Sequence, residues 1–388
     1  MKILTIFGTR PEAIKVAPVL MELRKCSNAI TSKVCVTAQH REMLDQVLRV
    51  FDIKPDYDLN IMFKGQDLFD VSINSLVGLR DVLKKERPDM VLVQGDTTTA
   101  FIGGLAAYYL KIPIGHIEAG LRTYDKYSPY PEEKNRHILG VLADYHFAPT
   151  SWAKSNLLKE GIPEDKIWVT GNTVIDALQY IVSRQKEMDS RQFWNRYFEE
   201  KCGVKLPSAY DGNTSKLILV TGHRRENFGE GFENICLALK EIAETRDDVI
   251  IVYPVHLNPN VQEPVKSILN EQRNVHLIDP LEYEPFVFLM NQAYLILTDS
   301  GGVQEEAPSL GKPVLVMRNT TERPEGIEAG TVKLVGTDKD NIIKSIMELL
   351  DNSEYYESMS KAVNPYGDGR AASRIIDVLK EHNDYSIQ

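Results

Sequence analysis

The sequence has few cysteines, and their spacing suits neither a metal site nor a disulfide framework. The 388 residues include four cysteines, with no CxxC pair and no histidine cluster at metal-ligand spacing. We therefore expect no metal and no disulfide bonds, which is typical of a reducing compartment. The four are Cys26, Cys35, Cys202 and Cys236.

Long apolar runs and an excess of basic residues are missing as well. No stretch approaches the roughly 18 apolar residues of a membrane span, and the run Ile3–Phe7 is too short for a signal peptide. Lys and Arg number 45 against 55 Asp and Glu, and the net charge of -10 argues against non-specific nucleic-acid binding. The sequence thus predicts a cytoplasmic protein with no membrane and no nucleic-acid partner. A small anionic ligand is compatible with this charge, because a few local cations and helix ends suffice for one diphosphate.

Two common nucleotide-binding signatures are absent. Gly229-Glu230-Gly231 lacks the third glycine of the dinucleotide fingerprint G-x-G-x-x-G and follows no predicted strand directly. There is no P-loop either. We therefore expect an activity that uses no nicotinamide or other cofactor.

Short apolar runs rich in β-branched residues alternate along the chain with longer amphipathic segments. Continuous apolar runs are typical of strands covered on both faces, and hence of parallel sheet. Such runs in both halves predict an α/β protein of two Rossmann-like domains joined near Gly171–Ala177. The predicted strands are Lys2–Phe7, Lys33–Ala38, Met90–Gln94, Pro113–Glu118, Tyr145–Ala148, Ile167–Thr170, Leu217–Thr221, Val249–Val252, Val275–Ile278, Tyr294–Thr298, Val314–Met317 and Val332–Val335. The predicted helices include Glu12–Arg24, Thr98–Tyr109, Ile342–Leu350 and Ala371–Glu381.

The segment after the first strand combines a helix start with two cations. Ligands of open parallel sheets bind beyond the carboxyl ends of the strands. Thr9 and Glu12 form a capping-box pattern, which a well-capped helix alone would explain. Arg10 and Lys15 lie in the first turns of the same helix, where two cations favour an anion.

Three carboxylates follow later strands of the first half. Asp96 ends a strand, where capping of the next helix is the commonest role. Glu118 follows an apolar run and precedes Ala119 and Gly120, poor surroundings for a carboxylate without a ligand-binding role. Glu132 falls near a helix start, where a glutamate often only balances the helix dipole. If the three converge, they supply the acid and base groups that proton transfer requires.

The second half carries a basic turn and a glycine turn. His223 lies in Gly222-His223-Arg224-Arg225 straight after a strand, which favours a functional role over the structural one typical of a lone histidine. Ser300-Gly301-Gly302 joins a strand to a helix, and its glycines let backbone amides approach an oxyanion. A glycine turn with a capping serine is the alternative. Glu306, one turn further on, can bridge two ribose hydroxyls, and Arg323 can pair with the same ligand.

A series of motifs runs in order over essentially the whole chain: FGTRPEAIK, TAQHREMLDQ, GDTTT, IEAGLRT, YSPYPEEKNR, TGNTVIDAL, VTGHRREN, YPVHLNPN, TDSGGVQEEAPSLGKPVLVMR, TTERPE and NPYGDG. Together they resemble the non-hydrolysing UDP-N-acetylglucosamine 2-epimerases. The resemblance implies a glycosyltransferase-B-like fold of two Rossmann-like domains with a central cleft, 1–172 with 366–388 and 173–365. It also implies a homodimer that interconverts UDP-N-acetylglucosamine (UDP-GlcNAc) and UDP-N-acetylmannosamine (UDP-ManNAc) for cell-surface polysaccharide.

The resemblance also implies roles for individual residues. Asp96, Glu118 and Glu132 would handle protons at the sugar, Lys15 would join them in catalysis, and His223 would lie beside the departing diphosphate. The residues expected to contact the substrate are Arg10, Lys15, Asp96, Glu118, His223, Phe286, Ser300, Gly301, Gly302, Glu306 and Arg323. A regulatory UDP-GlcNAc would contact Gln39, Gln66, Arg224 and His256, although Glu42 and Gly65 depart from the pattern of family members regulated in this way.

The expected chemistry accounts for these residue types. The C2 proton of the sugar is barely acidic, but breaking the C1–O bond lets positive charge grow at C1 and acidifies it. UDP then leaves to give 2-acetamidoglucal and adds back. Cations and amides of the second domain would stabilise the leaving group, and carboxylates of the first domain would transfer the protons. Which carboxylate is acid and which is base stays open. The alternatives are a glycosyltransferase of the same fold, a hydrolysing epimerase and a non-enzymatic UDP-sugar sensor.

Overall fold

The computed structural model describes residues 1–38, 41–187, 190–207 and 215–385. These residues form two compact units. The first consists of Met1–Ala177 and the described residues from Tyr366 onwards, and the second of Leu178–Pro365. The limits of the units lie close to the predicted domain limits.

The first unit contains a parallel sheet of seven strands in the order β3-β2-β1-β4-β5-β6-β7. The chain winds outward from β1 to β3 and then returns to place β4 beside β1, with Ile3 opposite Met90. The direction of winding therefore reverses between β1 and β4, and ligands of such sheets bind at this switch point. The strands are β1 (Lys2–Phe7), β2 (Thr31–Val36), β3 (Tyr57–Asp58), β4 (Met90–Gln94), β5 (Ile114–Ile117), β6 (Tyr145–Ala148) and β7 (Ile167–Val169).

The helices of the first unit begin at recognisable sequence signals. The first has the predicted capping box at Thr9 and Glu12, with Pro11 in its first turn. The last packs against the first, and Asp176 accepts hydrogen bonds from its amides at Ala371 (3.2 Å) and Ala372 (2.8 Å). The helices are α1 (Arg10–Lys25), α2 (Arg41–Val50), α3 (Leu68–Glu86), α4 (Thr98–Tyr109), α5 (Glu132–Leu142), α6 (Ser151–Lys159), α7 (Thr173–Glu187), which continues into the second unit, and the final helix, Ala371–Tyr385.

The second unit contains a parallel sheet of six strands in the order β10-β9-β8-β11-β12-β13. Here the winding reverses between β8 and β11, which pair with Thr221 opposite Thr298. The strands are β8 (Lys216–Thr221), β9 (Val249–Pro254), β10 (Val275–Ile278), β11 (Leu295–Thr298), β12 (Val314–Val316) and β13 (Val332–Leu334). The helices are α8 (Ser190–Cys202), α9 (Glu230–Thr245), α10 (Pro259–Leu269), α11 (Tyr283–Gln292), α12 (Gly301–Glu306), α13 (Pro324–Glu328), α14 (Lys339–Asp351) and α15 (Ser353–Ser360), so that the final helix is α16.

Each predicted strand is present, with small shifts at some ends, and the α/β class is confirmed. The expected six strands of the first half were one too few, because β3 is only two residues long and too short to show a periodic pattern. The helix Thr98–Tyr109 has the predicted limits, whereas α1, α14 and α16 extend beyond theirs. No helix within the described part of the chain is long and apolar enough to cross a membrane.

Candidate active site

Glu12 organises the switch point of the first unit. Its buried carboxylate accepts hydrogen bonds from the amides of Gly8 (3.1 Å) and Thr9 (2.8 Å) through one oxygen. The other oxygen accepts from the Thr97 hydroxyl (2.7 Å). Burial raises the pKa of Glu12 from its ordinary value of 4.5 to about 7, although these hydrogen bonds lower it. Glu12 thus ties the start of α1 to the start of α4.

Lys15 and Glu118 contact each other directly. Glu118 follows β5 with a φ of 65°, a left-handed conformation that residues with side chains seldom adopt. One carboxylate oxygen contacts Lys15 Nζ and accepts from Asn172 Nδ2 at 3.1 Å, and the other accepts from Gln94 Nε2. The Glu118 side chain is only 8% exposed. Three donors therefore hold a nearly buried carboxylate at the carboxyl ends of the strands.

Asp96 and Glu132 both border Arg136. Arg136 Nε lies 3.3 Å from Asp96 Oδ2 and 3.4 Å from the backbone oxygen of Glu132, the first residue of α5. Asn135 Nδ2 donates to the backbone oxygen of Asp96 at 2.9 Å. The residue that caps α4 is Thr97, whose hydroxyl accepts from the third helical amide at 3.0 Å. The common capping role therefore does not apply to Asp96.

The Lys15–Glu118 pair and the Asp96–Arg136 pair adjoin each other through Gly95. A Cβ atom on Gly95 would lie 3.4 Å from Glu118 Oε2, and Asp96 is the next residue in the chain. The Asp96 side chain is 28% exposed and so more open than that of Glu118. Arg10 is the half-buried first residue of α1, on the same helix as Lys15. The predicted residues of the first unit therefore lie on α1, directly after β4 and β5, and at the start of α5.

His223 lies at the switch point of the second unit, where it meets a buried aspartate. Asp299 follows β11 and is fully buried. Its Oδ2 accepts from the amides of His223 (2.9 Å) and Arg224 (2.8 Å), and its Oδ1 lies 3.2 Å from His223 Nδ1. Burial alone would raise the pKa of Asp299, but His223 and the two amides outweigh it and lower this pKa. Asp299 thereby joins the turn that follows β11 to the turn that follows β8.

Arg323 packs against the glycine turn. Ser300 is the N-cap residue of α12, but its side chain makes no capping hydrogen bond, so the capping-serine alternative is not supported. A Cβ atom on Gly301 would lie 2.5 Å from one guanidinium nitrogen of Arg323. Arg323 Nε donates to Glu305 Oε1 at 2.6 Å. The missing side chain at Gly301 therefore makes room for a guanidinium as well as for any ligand.

Glu322 sits among three arginines. It accepts from Arg323 Nη1 at 2.6 Å and from Arg318 Nη1 at 2.8 Å, and Arg224 Nη2 lies 3.7 Å away. Burial acts against its charged form, but the positive charges of Arg323, Arg318 and Arg224 hold the pKa of Glu322 far below its usual range. The guanidinium of Arg323 is thus held between two carboxylates in a defined orientation.

The nucleoside side of the predicted site lies on α11 and α12. Glu306 is the last residue of α12, and its Oε1 accepts from the Tyr283 hydroxyl at 2.7 Å. Phe286, three residues after Tyr283 on α11, is half-buried. A Cβ atom on Gly302 would lie 3.8 Å from Glu306 Oε2. Glu306 therefore adjoins both the glycine turn and the helix that carries Phe286.

Of the predicted regulatory residues, Arg224 and His256 lie in the second unit and Gln66 lies in the first. The ring of His256 stacks on that of His223, with centroids 5.7 Å apart, and Arg224 borders Glu322. Gln66 lies before α3, where its side-chain oxygen accepts from the amide of Phe63 at 3.2 Å. Gln39 lies outside the described residues. Within the described ranges, no three His, Cys, Asp or Glu side chains form a group that could hold a metal ion.

Comparisons with known proteins show the family to which this chain belongs. The profile of the family described as UDP-N-acetylglucosamine 2-epimerase matches residues 22–380. The chain is 57% identical to the UDP-N-acetylglucosamine 2-epimerase of Campylobacter jejuni, over 100% of this chain and 99% of that protein. It is 58% identical to the enzyme of that name from Escherichia coli K12, over 98% of this chain and 99% of that one. The chain belongs to the UDP-N-acetylglucosamine 2-epimerase family.

Solved structures agree with this assignment. The crystal structure of the UDP-GlcNAc 2-epimerase from Neisseria meningitidis bound to UDP-GlcNAc is 56% identical, with a TM-score of 0.90 over 98% of this chain and 100% of that one. The expected family and the glycosyltransferase-B-like α/β class are confirmed. Membership in this epimerase family also confirms that the chain is an enzyme of the isomerase class.

Several residues of the site were missed by sequence reasoning. Asn172 and Gln94 both donate to the Glu118 carboxylate. From the sequence alone, the first is only part of the join between domains and the second only the last residue of a strand. Glu305 and Asp299 were quoted in the glycine-turn motif without a role. A carboxylate directly after a mostly apolar strand, as at Asp299, was the one available signal, because a buried carboxylate needs donors.

Proposed function

We propose that the chain interconverts UDP-GlcNAc and UDP-ManNAc without net hydrolysis, by eliminating UDP to 2-acetamidoglucal and adding it back. The observation that carries this proposal is the set of carboxylates at the carboxyl ends of β4 and β5, with Glu118 held by Lys15 and Asp96 beside it. The names of the relatives, which are UDP-N-acetylglucosamine 2-epimerases, support the substrate.

The leaving group is stabilised by residues of the second unit. As the C1–O bond breaks, its electron pair departs with the β-phosphate of UDP, and negative charge grows on the leaving oxygen. Arg323 and the amides of the glycine turn at Ser300–Gly302 are preorganised donors of the kind that stabilise such charge. His223 lies beside the departing diphosphate in this proposal, while Glu306 and Phe286 hold the nucleoside.

Proton transfer belongs to the first unit. A carboxylate takes the C2 proton while positive charge at C1 acidifies it, and the C1–C2 double bond of the glucal forms. UDP then adds back at C1, and a second acidic group delivers a proton to the opposite face of C2. The Asp96 side chain is 28% exposed, whereas that of Glu118 is 8% exposed and already accepts from three donors. We therefore propose Asp96 and Glu132 as the transfer pair and Glu118, with Lys15, as the group that orients the sugar.

A time course by NMR with UDP-GlcNAc in deuterated water tests the function. We expect UDP-ManNAc with deuterium at C2 and an intact nucleotide. Asp96→Asn and Glu132→Gln should each slow deuterium entry about a hundredfold or more. Glu164→Gln, at an exposed carboxylate of the same unit, serves as the matched control.

The possible results of that time course separate the alternatives. Release of free N-acetylmannosamine and UDP would indicate a hydrolysing epimerase, and turnover only with an added acceptor would indicate a glycosyltransferase. Binding without turnover would indicate a sensor. Near-normal exchange in both carboxylate variants would contradict the assignment of Asp96 and Glu132 while leaving the reaction itself in place.

An apolar outer face on the first unit supports the expected homodimer. Phe69, Ile73 and Val77 recur every four residues on α3 and are 76%, 59% and 48% exposed. Beside α3 packs α4 with exposed Tyr108, and beside α4 packs α5 with Val141 78% exposed. Exposed apolar patches of this kind mark interaction sites. We propose that this α3–α4–α5 face joins two copies of the chain.

Three further expectations stay predictions. They are a cytoplasmic location, the supply of N-acetylmannosamine units for cell-surface polysaccharide, and activation by a second UDP-GlcNAc. For the last, the stacking of His256 on His223 is the supporting contact, since a ligand at His256 would adjoin a residue of the proposed leaving-group site.

A further inference from the structure

One carboxylate oxygen of Asp299 faces the imidazole of His223. Its Oδ2 is occupied by the amides of His223 and Arg224 and by Asn227 Nδ2 at 3.3 Å. Its Oδ1 lies 3.2 Å from His223 Nδ1 as an ion-pair contact, and no donor of the described residues completes a hydrogen bond to it. The side chain is fully excluded from solvent. The turn after β8 is therefore anchored through Oδ2 alone, which leaves Oδ1 to act on the imidazole.

Burial determines which nitrogen of His223 carries a proton. Leaving a buried carboxylate oxygen without a donor is strongly unfavourable. The lowered pKa of Asp299 keeps it ionised, and an ionised carboxylate only accepts hydrogen bonds. The approach of His223 Nδ1 to Oδ1 is therefore favourable only when Nδ1 is the donor.

His256 provides a contrast within the same stacked pair. Its ring lies 5.7 Å from that of His223, with 28° between the two planes. Its Nδ1 accepts a hydrogen bond from the backbone amide of Asn258 at 3.2 Å, so this nitrogen carries no proton. The two neighbouring rings thus differ in the state of Nδ1.

We infer that Asp299 is a positioning residue that orients His223 and keeps a proton on its Nδ1, so that Nε2 is the nitrogen that acts on the departing diphosphate. The inference rests on the proposed function, which puts His223 beside that diphosphate. A ring held in place needs no reorganisation while charge develops on the leaving oxygen. Without the carboxylate, His223 is free to rotate or to adopt the other tautomer.

Nitrogen-15 NMR of the wild-type protein labelled at histidine tests the tautomer without any change to the fold. We expect a proton on Nδ1 of His223 and none on Nδ1 of His256 at neutral pH, with assignment by His223→Gln and His256→Gln. An unprotonated Nδ1 on His223 would overturn the inference.

A double-mutant cycle tests the consequence for catalysis. Asp299→Asn should lower kcat for epimerisation about tenfold or more in the wild type. In the His223→Gln background the same change should cost no more than about threefold, because groups that act as one unit are not additive. Equal losses in both backgrounds would show that Asp299 acts independently of His223 and would contradict the inference. Asp247→Asn, at an exposed aspartate of the same unit, is the matched control.

The two proposals fail in different ways. If the wild type places no deuterium at C2 of UDP-GlcNAc, the proposed function is wrong whatever the cycle shows. If the wild type epimerises while the NMR tautomer or the cycle disagrees, only the role of Asp299 is wrong. UDP binding by calorimetry and the thermal midpoint of each variant separate a loss of fold from a loss of positioning.

Discussion

Glu12 illustrates how a single buried side chain can link the starts of two helices, α1 and α4. Its oxygens accept from the amides of Gly8 and Thr9 and from the Thr97 hydroxyl, which lies next to Asp96. These donors compensate only part of the desolvation of a carboxylate that is 1% exposed. The result is a carboxyl group whose pKa lies near neutrality and whose protonation is coupled to folding.

Stability should depend on pH through Glu12. The pKa of Glu12 rises from 4.5 to about 7 on folding, so the folded state favours the protonated carboxyl group. The stabilisation that this protonation gives to the folded state is full below pH 4.5 and is lost as the pH rises towards about 7. Glu12→Gln does not titrate, so the wild type should lose stability relative to this variant between those pH values. Urea unfolding at both ends of the range measures the difference, which is expected to be a few kcal/mol at most. Glu22→Gln, a partly exposed change on the same helix, should follow the wild type, and an identical profile for Glu12→Gln would disprove the assignment.

At the scale of elements, the joint between β11 and α12 does two things at once. Its glycines leave the backbone amides accessible to a ligand, and Arg323 fills the space next to Gly301. The guanidinium of Arg323 donates to the carboxylates of Glu305 and Glu322 at 2.6 Å each. The guanidinium is therefore not a flexible end that can move aside freely. A side chain at Gly301 acts first on Arg323, even before it meets a ligand.

Gly301→Ala is expected to weaken UDP binding by about tenfold or more, since a charge-assisted hydrogen bond contributes roughly 1.5–3 kcal/mol. The physical cause is displacement of Arg323, whose nearest nitrogen would lie 2.5 Å from the new Cβ. Calorimetry with UDP measures the change. Gly231→Ala on α9 is the control, because its Cβ would make only ordinary contacts of 3.5 Å with Thr337. Unchanged UDP affinity in Gly301→Ala would show that Arg323 does not contribute.

At the scale of the whole molecule, the α3–α4–α5 face is the clearest candidate for association. Its apolar side chains are exposed on three adjacent helices of the first unit. Water contact with such a face is unfavourable, and pairing with a second copy removes it on both chains. The composition of the chain alone could not reveal this face, since an exposed apolar residue looks the same in sequence as a buried one.

Ile73→Arg should convert a dimer into a monomer, because it places a charge in the middle of the α3 stripe. Sedimentation velocity at several concentrations measures the change, and the thermal midpoint should lose its concentration dependence. Val363→Arg, at an 83% exposed valine of the second unit, should leave the dimer intact. A wild type that sediments as a monomer would exclude the proposed association.

The sequence alone determined the class of the fold and most of its strands, because parallel strands buried on both faces are recorded as continuous apolar runs. It also indicated which segments follow the strands, and hence the positions of Asp96, Glu118, His223 and the glycine turn. It missed β3, and it suggested a capping role for Asp96 that Thr97 performs.

Only the tertiary structure decided the partners of these side chains. Lys15 and Glu118 are 103 residues apart in sequence, and His223 and Asp299 are 76 apart. No local pattern encodes such pairs, because their contact depends on which strands lie side by side in the sheet. The order of strands brings the ends of β8 and β11 together, so that buried Asp299 accepts from the amides of His223 and Arg224 in the turn after β8.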